Sequence, residues 1–269
     1  MSMAKGMWVI VCGLVVMLSG VERVSGFESA GSDYDDLMLI LNEGWQAFEF
    51  KGAKNASSRG GRKIDTIVMH TTEGSGVYEN TIGWFRNSGN NSNSAHFVIA
   101  RDGRITQMVD SSRKAWHATY YNSRSIGIEM SGWSRGHVFP DDDKIDTWRY
   151  EEGELPDAHD PTPGDGYRPN LDTLAAIVAY YSMRYDIPLV HPSGEAIWHK
   201  ENGDVVRDVD YNMPGLVAHG QVQPWNRADP GPMFPWGELI DRANALIPEP
   251  TSGLLLMGML GCLMRRRDR

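Results

Sequence analysis

Two short apolar runs, Ile67-Val68-Met69 and Leu216-Val217-Ala218, lie far apart in the chain, and each leads straight into a histidine, His70 and His219. Compact apolar runs of this length are fit for buried strands. Any fold for this chain must therefore carry an imidazole out of each of two strands. A third segment, Arg227-Ala228-Asp229-Pro230-Gly231-Pro232, sets a carboxylate in a rigid Pro and Gly turn shortly after His219. Two imidazoles and one carboxylate are a sound ligand set for zinc and leave a fourth position open for water. Spacing alone does not decide the matter. No short signature such as H-E-x-x-H occurs, and a lone strand-end histidine is more often a hydrogen-bonded structural residue than a ligand.

The sequence around these segments reads as one domain with tails. With 269 residues, 41% of them hydrophobic, and nine Trp, seven Phe and ten Tyr, the middle has enough apolar area to offset chain entropy. Residues 27–63 read as an N-terminal segment with a short helix at Asp35–Asn42, ending in a Gly, Ser and Lys-rich loop. The regular domain is expected over 64–247. It opens with a strand at Asp65–Met69 that delivers His70, followed by a helix at Val77–Phe85. Strand-like runs at Ala95–Ala100 and Arg104–Val109 flank Arg101-Asp102-Gly103, which is a hairpin signal. Ser125–Met130 reads as a further strand, and 134–170, rich in Asp, Pro and Gly, as a long surface excursion. Leu171–Arg184 has helical apolar spacing. Val205–Asp210 reads as a small hairpin arm, Leu216–Ala218 as the last strand and Trp236–Leu246 as the final helix. The pattern predicts an α/β fold, a sheet covered by helices.

The two ends differ from the middle. Residues 1–26 carry Lys5, an apolar run Met7–Leu18 and small residues before position 27, the layout of a secretory signal and shorter than the ~20 residues that cross a bilayer comfortably. The C-terminal end combines Pro248-Glu249-Pro250, a Gly- and Leu-rich stretch and an arginine cluster from Arg265. This arrangement resembles the PEP-CTERM sorting tails of Gram-negative bacteria over 248–269. It implies attachment to a membrane before processing, with export to the periplasm, envelope or cell surface; an uncleaved anchor is the other reading. Both cysteines, Cys12 and Cys262, lie in these ends, so the domain between them has neither disulfides nor cysteine ligands. Both ends are net basic, so the core is more acidic than the −9 of the whole chain. An acidic core without basic runs is a poor partner for nucleic acid.

The stretches IDTIVMHTTEG, SAHFVIARDGRITQMV, AWHA, SIGIEMSG, LVAHGQV and RADPGPMFPW occur in the order found in the type-2 N-acetylmuramoyl-L-alanine amidases, relatives of phage lysozyme-type amidases and peptidoglycan recognition proteins. The resemblance runs from about Asp65 to Leu246. It implies a central mixed β-sheet flanked by helices, with zinc held by His70, His219 and Asp229. Peptidoglycan or muropeptides would be the substrate, cut between N-acetylmuramic acid and L-alanine. It also implies that Glu129 handles the proton of the attacking water; by composition alone Glu129 reads as a solvated or salt-bridged carboxylate. Arg227 stands where many members of the family carry lysine, and keeps the charge that would steady an oxyanion. Position 95 is alanine where the phage-type enzymes have a catalytic tyrosine, so the chain fits the Glu-dependent branch.

Trp116 and His117 fall in the segment that the family uses to line the substrate groove; a structural role for His117 stands beside substrate contact. His96 reads as a packed core residue, and His137, His159, His191 and His199 as surface residues. Three rivals remain open: a module that binds peptidoglycan without cutting it, a zinc peptidase acting on the stem peptide, and a surface-matrix component.

Overall fold

The computed structural model describes residues 31, 33–34, 36–37, 48–72, 78–90, 92–100, 103–131, 169–232 and 234–247. The signal, the 134–170 excursion apart from its last two residues, the sorting tail, His137 and His159 lie outside them. At the centre is a six-stranded mixed sheet in the order β1-β5-β4-β7-β3-β10. Its strands are β1 (Phe48–Phe50), β3 (Thr66–Thr71), β4 (Phe97–Ile99), β5 (Ile105–Gln107), β7 (Ser125–Met130) and β10 (Gly215–Ala218). The β4–β5 pair is antiparallel, as expected of an Asp-Gly hairpin, and every other pairing in this sheet is parallel. A second pair, β2 (Ala56–Ser58) with β6 (Arg113–Ala115), and the arm β8 (Ile197–Glu201) with β9 (Asp204–Val209) are both antiparallel.

Side-chain alternation along the strands sorts the sheet into two faces. Ile67 and Met69 of β3, Ile126 and Ile128 of β7, Phe97 and Ile99 of β4, and Leu216 of β10 form one apolar cluster. They pack with Leu174, Ile177, Val178 and Tyr181 of the helix α2 (Pro169–Tyr185) and with Leu239 and Ala243 of α4 (Trp236–Leu246). These strand side chains are essentially inaccessible to water, and each such burial stabilises the fold by roughly 1.5–3 kcal/mol relative to exposure. The alternate positions face the other way. Val98 packs with Ile82 and Phe85 of α1 (Tyr78–Arg86), while Val68 and Val217 pack with Tyr121, Tyr211 and Val222. His70, two residues after Val68, emerges on this second face.

The structure differs from the sequence reading at several points. β1 and β2 lie in the stretch read as helix and loop, and β1 supplies the edge of the main sheet. These three-residue runs show too little alternation to register as strands, and unlike the equally short β4 and β5 they do not lie within longer strand-like runs. Of the short helix expected there, Asp36 and Leu37 are described and are helical, as are Asp33 and Tyr34 before them. His70 lies inside β3 rather than beyond its end. His191, read as a surface residue, is half-buried: its ring stacks on Trp236 at 3.7 Å, and Nδ1 lies 2.8 Å from the Leu216 carbonyl, which can only accept. No helix among the described residues is long and apolar enough to cross a membrane.

Candidate metal centre

β3 and β10 are neighbours in the sheet, with Ala218 opposite Met69. The residue after each, His219 and His70, therefore falls at the same edge of the sheet. His219 begins α3 (His219–Val222), a single turn of helix. The chain then loops back so that the Gly220 amide donates to the Asp229 carbonyl at 3.1 Å. A Cβ on Gly220 would sit 2.9 Å from Ala228 Cα, so glycine permits this close return. Asp229 is carried in beside the two rings.

Three side-chain atoms meet here. His70 Nδ1 lies 2.9 Å from His219 Nδ1, and each lies 3.2 Å from Asp229 Oδ2. Exposure of the three residues is 2%, 5% and 5%, so the triangle is screened from bulk water. A tetrahedral ion with bonds of about 2.0–2.1 Å spaces its ligand atoms by roughly 3.3 Å, close to the observed edges. The donor set agrees. His219 Nε2 is 2.7 Å from Gln223 Oε1, an amide oxygen that can only accept; Nε2 therefore carries the proton, and Nδ1 turns its lone pair to the centre. Burial, with His219 as the next cause, pushes the His70 pKa down to about 4, so the ring is neutral. For Asp229 burial works upward, but His219 and His70 outweigh it and hold the carboxyl well below the usual carboxylate range. Lone pairs crowding one buried point are costly without a cation between them.

The other predicted residues are placed as follows. Glu129 in β7 is the register partner of His70 across the β3–β7 pair, so the two side chains share a face. Arg227 is exposed; its Nη1 donates to the Asn226 carbonyl at 2.8 Å, and its charge is among those that lower the His70 pKa. Trp116 is half-buried and donates from Nε1 to Ser57 Oγ at 3.0 Å. His117 has both ring nitrogens engaged inside the protein, Nδ1 with His70 Nε2 at 3.0 Å and Nε2 with Ser125 Oγ at 3.2 Å. His96 is buried as expected, with Nδ1 accepting from the Gly127 amide, and Ala95 is buried in the cluster around α1. His199 stands at the surface beside Asp208. Gln223 is one residue that sequence reasoning missed. Its i+4 spacing from His219 could have found it, had the four-residue helix been legible.

The sequence model of one family, described as N-acetylmuramoyl-L-alanine amidase, matches residues 60–232. The chain is similar to N-acetylmuramoyl-L-alanine amidase A of Achromobacter lyticus, with 43% identity over 76 residues, covering 28% of this chain and 41% of that relative. It is similar also to 1,6-anhydro-N-acetylmuramyl-L-alanine amidase AmpD of Escherichia coli K12, with 26% identity over 167 residues, 59% of this chain and 61% of that relative. The chain thus spans less than two thirds of either relative. Among solved structures, the Staphylococcus aureus hydrolase AmiA in complex with its ligand aligns with a TM-score of 0.48 at 15% identity, covering 81% of this chain and 91% of that one.

Proposed function

The chain belongs to the N-acetylmuramoyl-L-alanine amidase family, and from that premise we propose that it is a zinc-dependent hydrolase of the amide between N-acetylmuramic acid and L-alanine in peptidoglycan. The observation that carries this reading is the buried triangle of His70 Nδ1, His219 Nδ1 and Asp229 Oδ2. Two imidazoles and a carboxylate with no thiolate suit zinc in an open hydrolytic site. Zinc bound there supplies a Lewis acid for the scissile carbonyl and acidifies water toward a pKa of ~7.

The chain's own groups divide the remaining work. Glu129, on the same face as His70, takes the proton of the attacking water and passes it to the departing nitrogen. The C–N bond is thereby replaced by a carboxyl on the lactyl group and a free amine on L-alanine. Arg227, two residues before Asp229, offers positive charge to the oxyanion, and Trp116 offers apolar surface to the lactyl or peptide part. The apolar run Met7–Leu18 and the Pro248-Glu249-Pro250 tail support export of the protein, with processing at a membrane.

The test is to incubate zinc-loaded protein with purified peptidoglycan and identify the products. Intact stem peptides with new L-alanine amino termini, beside glycan strands stripped of peptide, are expected. Shortened stem peptides would mean a peptidase, and binding without products a recognition module.

A further inference from the structure

His117 lies against the candidate metal centre without pointing an atom at its middle, and the order of its hydrogen bonds can be read from the chemistry of its partners. Ser125 Oγ lies 2.8 Å from the Tyr121 carbonyl. A carbonyl only accepts, so the single hydroxyl proton of Ser125 goes there. Toward His117 the serine therefore offers lone pairs, and His117 Nε2–H donates to it at 3.2 Å. A neutral ring protonated on Nε2 has a bare Nδ1. The 3.0 Å contact with His70 Nε2 is then a hydrogen bond donated by His70. That leaves His70 Nδ1 bare as well, facing His219 and Asp229.

The His117 ring is also fixed in space. It lies on the backbone of Gly127, where a Cβ would come within 2.5 Å of His117 Cγ and Nδ1. Its loop is held by Asn122 Oδ1, which accepts from the His117 and Ala118 amides at 2.8 and 2.6 Å. It meets the His70 ring edge-on, with centroids 5.1 Å apart at 84°. From this arrangement we infer that His117 is a positioning residue: through Ser125 and the Tyr121 carbonyl it sets the tautomer and orientation of His70, so that the Nδ1 lone pair is presented to the metal. This differs from the substrate-lining role that family resemblance gives to His117. It rests on the metal-site reading above. Groups that orient a ligating histidine act on metal affinity, commonly by about 10- to 100-fold.

The experiment uses the full chain and zinc itself, with affinity measured by competition against a chromophoric chelator and His70 followed by nitrogen NMR in the metal-free protein. The unaltered protein is expected to bind one zinc and to show His70 protonated on Nε2. His117→Phe keeps an aromatic ring over Gly127 but removes the acceptor, and is expected to weaken zinc binding about 10- to 100-fold. His117→Gln, which can still accept, recovers part of the loss. Ser125→Ala leaves the ring in place and frees its tautomer. A smaller loss of affinity and a mixed His70 tautomer are expected, and this variant carries the test if His117→Phe does not fold. Unchanged zinc affinity in folded His117→Phe, or an unchanged His70 tautomer in Ser125→Ala, overturns the inference while leaving the metal site intact. No zinc uptake by the unaltered protein would sink the metal site itself. A raised KM for muropeptide at unchanged zinc affinity would return His117 to the substrate groove.

Discussion

At the scale of single residues, the second face of the sheet gives Glu129 and Gly127 opposite duties. Glu129 stands opposite His70 and is not one of the three groups that converge on the candidate metal site. Glu129→Gln should therefore leave zinc affinity within a few-fold while lowering kcat by about 10²–10⁴, checked by metal titration and turnover on the same preparation. Retained turnover would remove Glu129 from the chemistry. Gly127 makes room. The side chain of Gly127→Ala collides with the His117 ring, and overpacking of this kind costs about 1–3 kcal/mol. Denaturant unfolding should show that loss, and zinc affinity should fall as the ring is displaced.

At the scale of elements, the site depends on a one-turn helix and the return that follows it. α3 presents His219 at its start and brings Gln223 back beneath that ring, while the Asp229 loop closes on Gly220. Gly220→Ala should push Ala228 away and open the triangle on its carboxylate side. We expect weaker zinc binding with the His70 and His219 environments preserved; zinc affinity equal to that of the unaltered chain would show that the loop can give way. This is also where the sequence was least informative. The long periodic or β-rich elements were legible: Ser125–Met130 and Trp236–Leu246 were expected with the bounds that are found, because a buried β-branched run and a 3.6-residue stripe are strong signals. β1, β2 and β6 have three residues each, and α3 has four. β4 and β5 are as short, but they lie within longer strand-like runs either side of an Asp-Gly turn; β1, β2, β6 and α3 have no such surroundings and are made by pairing and packing rather than by local preference. The three residues of the candidate metal site, His70, His219 and Asp229, stand out in their motifs; Gln223, beside His219, and Ser125, beside His117, are brought in by contacts across the fold.

At the scale of the whole molecule, the buried imidazoles make stability depend on pH. Burial, and then the neighbouring Arg59, pushes the His96 pKa down to about 3, whereas an unfolded histidine titrates near ~6.5. Between these values the unfolded chain holds a proton that the folded chain refuses. The stability that His96 contributes is therefore full above about pH 6.5 and drains away as pH falls toward 3, by up to about 1.4 kcal/mol per unit. Asp110, pushed up to about 6 by burial and by Asp33, works in the opposite direction below that pH. Denaturant unfolding of the metal-free chain beside His96→Asn, from pH 7 to 5, isolates the histidine. The variant should lose less stability on acidification, and equal slopes would dismiss His96 as the source. Zinc at the proposed site would work through mass action: a hundredfold excess over its Kd should raise stability by about 2.7 kcal/mol, visible as a Tm that climbs with free zinc.

The strands β3 and β10 that deliver the two imidazoles lie side by side, yet His70 and His219 are 149 positions apart in the chain. Capture of an ion at the proposed site would therefore require that long-range parallel pairing be complete. A molecule with its helices formed but those strands misthreaded would pass for folded in circular dichroism and still ignore zinc, so uptake at the proposed site would count correctly threaded molecules.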